Sequence, residues 1–240
     1  MAPLPGNWLS RWQPLGWSCN PYLVNSLRVI AAAALLASGV LASAQSVQVN
    51  PNQQAAPPNA PSASIKPYHA ITARQRLQWF VESTVGPETL AVGVFSAGIG
   101  TARDAPREYG SHWGGFADRY GMRLTGVSTG NAMEAGLGAI WGEDPRYFRA
   151  YHQNFAGRIR NVIGMSFLAH NRSGQLSPAY ARYIAMPGNN FLSNTWRADS
   201  EANNRAAAVR TGLGFLGLMG KNAFTEFWPD VERGVLHKGK

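Results

Sequence analysis

The sequence predicts an all-α fold: a single compact bundle of five to seven glycine-rich helices behind an export signal and a disordered linker. Three observations predict it. Apolar residues recur at three- and four-residue spacing between Ile71 and Phe227, the period of one helix face. No run alternates apolar and polar residues with the period of two that a half-buried strand requires. Glycine and proline interrupt the periodic runs at helix-length intervals.

The first element is a leader. Arg28 is followed by the uncharged stretch from Val29 to Leu41 and then by Ala42-Ser43-Ala44, which together give a basic flank, an apolar core and a small-x-small cleavage site. Residues 1–44 are therefore expected to be a signal peptide with an extended n-region, cut between Ala44 and Gln45. An uncleaved anchor is the alternative, although the apolar run is shorter than the roughly 20 residues that span a bilayer. The region before Arg28, with Trp8, Trp12 and Trp17, is long for a leader, so a downstream start codon is the other reading of it.

Cleavage would remove Arg11 and Arg28 and take the net charge from +9 to +7. It would also remove the only cysteine, Cys19, which leaves no disulfide framework and no thiolate nucleophile. Residues 45–70 follow as a linker rich in Pro, Asn, Gln and Ala, with too little apolar surface to offset the entropy of ordering.

The helical domain is expected at 71–236, with a basic tail at 237–240. Thr72 and Gln75 form a capping-box pattern that starts the first helix, and Gly86-Pro87 ends it and opens a second near Glu88 to Gly100. Ser111 leads into a third, running to Trp141. A fourth is marked by Ile159, Val162, Ile163 and Phe167. Ser177-Pro178 reads as the N-cap and first position of a fifth, closed by Pro187-Gly188. Asp199 or Ser200 would cap the last, which Pro229 would stop. Thirteen of the 26 glycines fall between Gly86 and Gly142. Gly126 and Gly130, Gly138 and Gly142, and Gly217 and Gly220 are spaced to let a neighbouring helix approach closely. A membrane-inserted version of that packing is the other reading, but the charge-free stretch Thr89 to Ala102 is too short to span.

The chemistry-bearing residues are few. No histidine pair has metal-ligand spacing, so no metal is expected. There is no GxSxG elbow or Walker loop, and the GxGxxG at 212–217 lies within a predicted helix without a preceding strand, so no cofactor is expected. Nucleic acid is not an expected partner, because the arginines are scattered. The densest charged motif is GEDPRYFR, 142–149. Gly142 suits a left-handed helix end, Asp144 a cap and Pro145 a first helical position, with Phe148, Tyr151 and Phe155 reading as packing on the next helix.

Two readings of the carboxylates remain open. In one, Glu143, Asp144 or Glu226 is the acid or base of a hydrolase, with His152 or His170 nearby. In the other, Glu143, Glu226 and Asp230 are structural ion-pair partners of Arg146, Arg149, Arg182 and Arg197, and Arg146 or Arg149 is expected to meet Glu226 or Asp230. Glu134 and Asn222 also face partly apolar stripes.

In order along the chain, GEDPRYFR (142–149), PAYARY (178–183), NFLSNTWR (190–197) and EFWPD (226–230) resemble an uncharacterised family of exported bacterial proteins. The resemblance runs from about Ile71 to Val231. It implies one self-contained exported domain and carries over no activity, ligand or catalytic residue. The function expected from residues and resemblance together is that of a non-enzymatic helical domain in the periplasm or outer envelope. Its expected partner is an anionic membrane surface or an envelope protein.

Overall fold

A computed structural model describes residues 68–151 and 153–236. The signal peptide, the linker up to residue 67, His152 and the 237–240 tail lie outside the described residues. What is described is mostly helical, with one small hairpin.

Helix α1 (Ala73–Val85) begins at Thr72, whose hydroxyl accepts the Gln75 N–H while the Gln75 amide accepts the Thr72 N–H. Gly86 ends it, and Pro87 occupies the first position of α2 (Pro87–Ala102), where a missing N–H is harmless. Helix α3 (Trp113–Trp141) is capped by the His112 ring, not by Ser111, because His112 Nδ1 accepts the Gly115 N–H at 3.3 Å. Gly142, at φ 76° and ψ 23°, closes α3 in the left-handed region that favours glycine.

After this corner the chain departs from the sequence pattern. Asp144 starts no helix; residues 145–150 run without regular structure, and α4 (Phe155–Phe167) begins only after Asn154, whose side chain accepts the Gly157 N–H. Tyr151 and Phe155 are accordingly 69% and 71% exposed rather than packed. Strands β1 (Leu168–His170) and β2 (Leu176–Pro178) pair antiparallel, so Ser177 lies in a strand and does not cap α5 (Tyr180–Leu192).

Two prolines expected to end helices sit inside them. Pro187 lies within α5, and Pro229 within α6 (Asn204–Leu236). An interior proline costs about 3 kcal/mol through its missing N–H and ring clash. Packing of α5 between α3 and α6, and of α6 on α4 and α5, offsets that locally. Neither Asp199 nor Ser200 caps α6; Asn203 accepts the Ala206 N–H, while the Ser200 N–H is taken by Glu108.

Helix α3 is the hub, packed against α1, α2 and α5. Several of its glycines make room for groups other than helix backbones. A side chain at Gly138 would stand 2.8 Å from Arg76, and one at Gly142 would overlap Arg172. Gly126, Gly136, Gly217 and Gly220 have open space where a side chain would begin, which corrects the close-packing expectation at Gly126, Gly217 and Gly220.

The interior is unusually polar. Among the described residues a buried apolar cluster is formed by Tyr109, Met122, Trp196 and Ala198, and Arg76, Arg119, Arg182, Glu143, Asp144, Asn222 and Glu226 are buried as well. Many large apolar side chains are exposed. Leu77, Val81 and Val85 form an exposed stripe on α1; Val92, Phe95 and Ile99 form one on α2. On α6 the stripe is Val209, Leu213, Leu216, Phe224, Trp228 and Val231, and Trp113 at the start of α3 is 83% exposed. Among the described residues no helix is long and apolar enough to cross a membrane.

Candidate functional site

The GEDPRYFR corner places each of its carboxylates differently. The left-handed turn at Gly142 projects Glu143 across to the start of α5, which has no side-chain cap of its own. There the Glu143 carboxylate accepts the N–H groups of Tyr180 at 3.1 Å and Ala181 at 3.0 Å. An anion at a helix N-terminus satisfies free donors and meets the positive end of the dipole. Glu143 was expected to pair with an arginine. Instead its charge is answered by backbone dipoles, and it is its main-chain carbonyl that accepts Arg76, at 2.7 Å.

Asp144, 1% exposed, accepts the Arg146 N–H and is gripped by the Arg146 guanidinium at 2.6–3.1 Å. Tyr68, from the stretch read as linker, donates its hydroxyl to the same carboxylate at 3.1 Å. Burial, then the neighbouring Asp144 charge and hydrogen bond, push the Tyr68 phenol up to about 12. The Tyr68 ring stacks on His170 and meets Phe148 edge-on. Burial in this aromatic setting lowers the His170 pKa against the opposing pull of Asp144.

The remaining carboxylates close a clasp between α4 and α6. Glu226 has no solvent exposure. Its carboxylate accepts the Tyr147 hydroxyl at 2.7 Å, Arg158 Nε at 2.9 Å and the Ala150 N–H at 3.2 Å. Arg158 also reaches Asp230 at 2.6 Å, and Asn161 donates to the Tyr147 oxygen at 3.0 Å. Burial alone would raise the Glu226 pKa. The bonds from Tyr147, Arg158 and Ala150, with the Arg158 charge, outweigh it and hold the carboxyl below its ordinary range. Pro229 lacks the N–H that an interior helical residue donates four residues back, and in the turn before it the Glu226 carbonyl accepts both Arg149 and Arg158.

Arg158 is the residue that sequence reasoning missed. Arg146 pairs with Asp144, and Arg149 donates to the Glu226 main-chain carbonyl and the Tyr151 hydroxyl, so neither holds a carboxylate of EFWPD. The available signal was geometric: Glu226 and Asp230 are four apart on one face, a span that one guanidinium fork can bridge. Arg182 pairs with Glu134 at 2.9 Å and donates to the final carbonyls of α4, Arg197 pairs with Glu201, and buried Asn222 donates to Ser166. Thr72 caps α1, and His152 is outside the described residues. No group of three or more His, Cys, Asp or Glu could hold a metal ion among the described residues.

Open space lies elsewhere. No room for a water remains between Glu143 and Asp144, whereas a cavity of about 450 Å³ opens between α2, α3, α5 and α6. Its wall includes Arg119, Arg123, Arg197, Arg210, Glu134 and Glu201, along with the open side of Gly126. None of Glu143, Asp144, Arg158, Glu226 or Asp230 reaches it. No family model matches the chain, and neither the curated proteins nor the solved structures contain a significant match.

Proposed function

We propose that this chain is a non-enzymatic exported domain that works at the cell envelope, seated on an anionic lipid surface by its apolar exterior. The observation that carries the reading is the exposure of Leu, Val, Phe and Trp in stripes on α1, α2 and α6, around an interior that holds arginine–carboxylate pairs. Water-soluble monomers rarely expose apolar surface in continuous stripes. Trp113, Trp141 and Trp228 are exposed, and their amphipathic rings suit the headgroup boundary of a bilayer. The basic composition favours anionic headgroups, and the leader supplies a route to them. The four-motif resemblance to exported bacterial proteins supports the same compartment.

The hydrolase alternative draws less support. Glu143, Asp144 and Glu226 are each held by several internal donors, and none lines the open cavity. A general acid or base needs reach to a substrate.

Flotation of the full chain with phosphatidylglycerol vesicles tests the proposal. Binding is expected at low salt, and Phe95→Ser with Leu213→Ser should weaken it without lowering the unfolding midpoint, since both side chains are largely exposed. A chain that stays unbound at low salt would sink the envelope reading.

A further inference from the structure

We infer that the cavity between α2, α3, α5 and α6 is a binding site for a small hydroxylated phosphate ester, held by Arg123. The cavity is large enough for a small organic ligand, at about 450 Å³. Its arginines divide sharply by how they are engaged. Arg119 donates to the carbonyls of Ala105, Pro106 and Gly110. Arg197 is bound to Glu201 and Ser193, and Arg210 donates to Glu201, Asn190 and Asn194. Arg123, one turn along α3 from Arg119, makes no hydrogen bond or ion pair among the described residues, and its Nε is buried. Arginine does not escape by losing its proton, so a half-buried guanidinium whose Nε is withdrawn from water without a partner gains when an anion meets it.

Two further buried polar atoms on the same wall lack partners, Arg210 Nε and Asn189 Oδ1. They specify the rest of the ligand. A guanidinium fork matches phosphate oxygens in a bidentate manner, and Arg210 Nε offers one more donor. Asn189 Oδ1 is an acceptor and needs a donor such as a hydroxyl. The nearby carboxylates do not compete for Arg123, because Glu134 is engaged by Arg182 and Glu201 by Arg197. Four arginines against two glutamates in the lining leave a positive excess, which suits a phosphate ester, whose oxygens match the guanidinium fork.

The same chemistry is offered by a free sugar or polyol phosphate and by a lipid headgroup. Calorimetry of the full chain with sn-glycerol 3-phosphate probes the first source, and flotation with phosphatidylglycerol vesicles, against phosphatidylcholine alone, probes the second. Binding is expected to weaken by about tenfold or more in Arg123→Met, equivalent to about 1.4 kcal/mol, with partial recovery in Arg123→Lys. Gly126→Leu, which grows into the cavity from a position with open space, should block binding while the protein stays folded. Heat from the soluble phosphate that Arg123→Met abolishes assigns a free ligand. Selective loss of phosphatidylglycerol binding in Arg123→Met, without such heat, assigns a headgroup. If the soluble phosphate gives no heat and vesicle binding is unchanged in Arg123→Met and Gly126→Leu, the site is disproved and the envelope proposal still stands. Soluble binding by a chain that ignores vesicles would leave the site standing and remove the envelope proposal.

Discussion

The Glu226 clasp and the Arg123 cavity use the same materials and finish in opposite states. In the clasp, Glu226 receives Tyr147, Arg158 and the Ala150 N–H, and Arg158 goes on to Asp230. In the cavity, Arg123 receives nothing from the described residues, although Glu134 and Glu201 line the same wall. The difference teaches that buried charge in this molecule is of two kinds. Closed groups fix helices to one another, and the open group keeps a guanidinium nitrogen without a partner among the described residues.

The largest expected effect comes from breaking the closed side. Glu226→Ala removes one partner of a buried pair and leaves Arg158, Tyr147 and Ala150 unsatisfied, so a loss of about 3–5 kcal/mol is expected in urea unfolding. A loss below about 1 kcal/mol would mean that the clasp is not closed in solution. The pH profile gives the sign independently. Because the folded Glu226 pKa lies below its unfolded value, its stabilisation is present above about pH 4.3 and fades as pH falls through the folded pKa. Glu226→Gln should flatten that acid limb, and an unchanged acid slope would contradict the assignment.

A smaller loss is expected from Glu143→Gln, which keeps an acceptor at the start of α5 but removes the charge facing the helix dipole. About 1 kcal/mol should go, read as a lower urea midpoint with the m-value unchanged. No change would show that water serves the α5 donors equally well. The smallest effect sharpens the open side. Gly126→Ala meets nothing at its new carbon and should stabilise α3 by about 0.5–1 kcal/mol; destabilisation would show that the cavity wall is tighter than described.

Local signals were legible wherever the chain consults only itself. Thr72 with Gln75, Gly86-Pro87 and Gly142 each act over a few residues, and the expected helix starts and stops stand at those points. The misreadings share one cause. Asp144 and Ser177 carry cap chemistry, but Tyr68 and Arg146 occupy the first and strand pairing the second. Pro187 and Pro229 carry stop signals that packing from neighbouring helices overrides. In the irregular stretch 145–150 the Ala150 N–H, a donor that a helix would keep for itself, is committed to the Glu226 carboxylate far along the chain. The cavity was not legible at all, since an unpaired arginine is defined by what fails to reach it.

The cap that Glu143 provides has a consequence for how the molecule is assembled. Helix α5 carries no start signal of its own and takes one from a residue 37 positions upstream of Tyr180. Its first turn is therefore conditional on a loop closure, an entropic toll that grows only slowly with length. For a chain delivered N-terminus first, the α3 corner is complete before residue 180 arrives. The growing end would then meet a template already in place, and a chain truncated ahead of Glu143 would lack one.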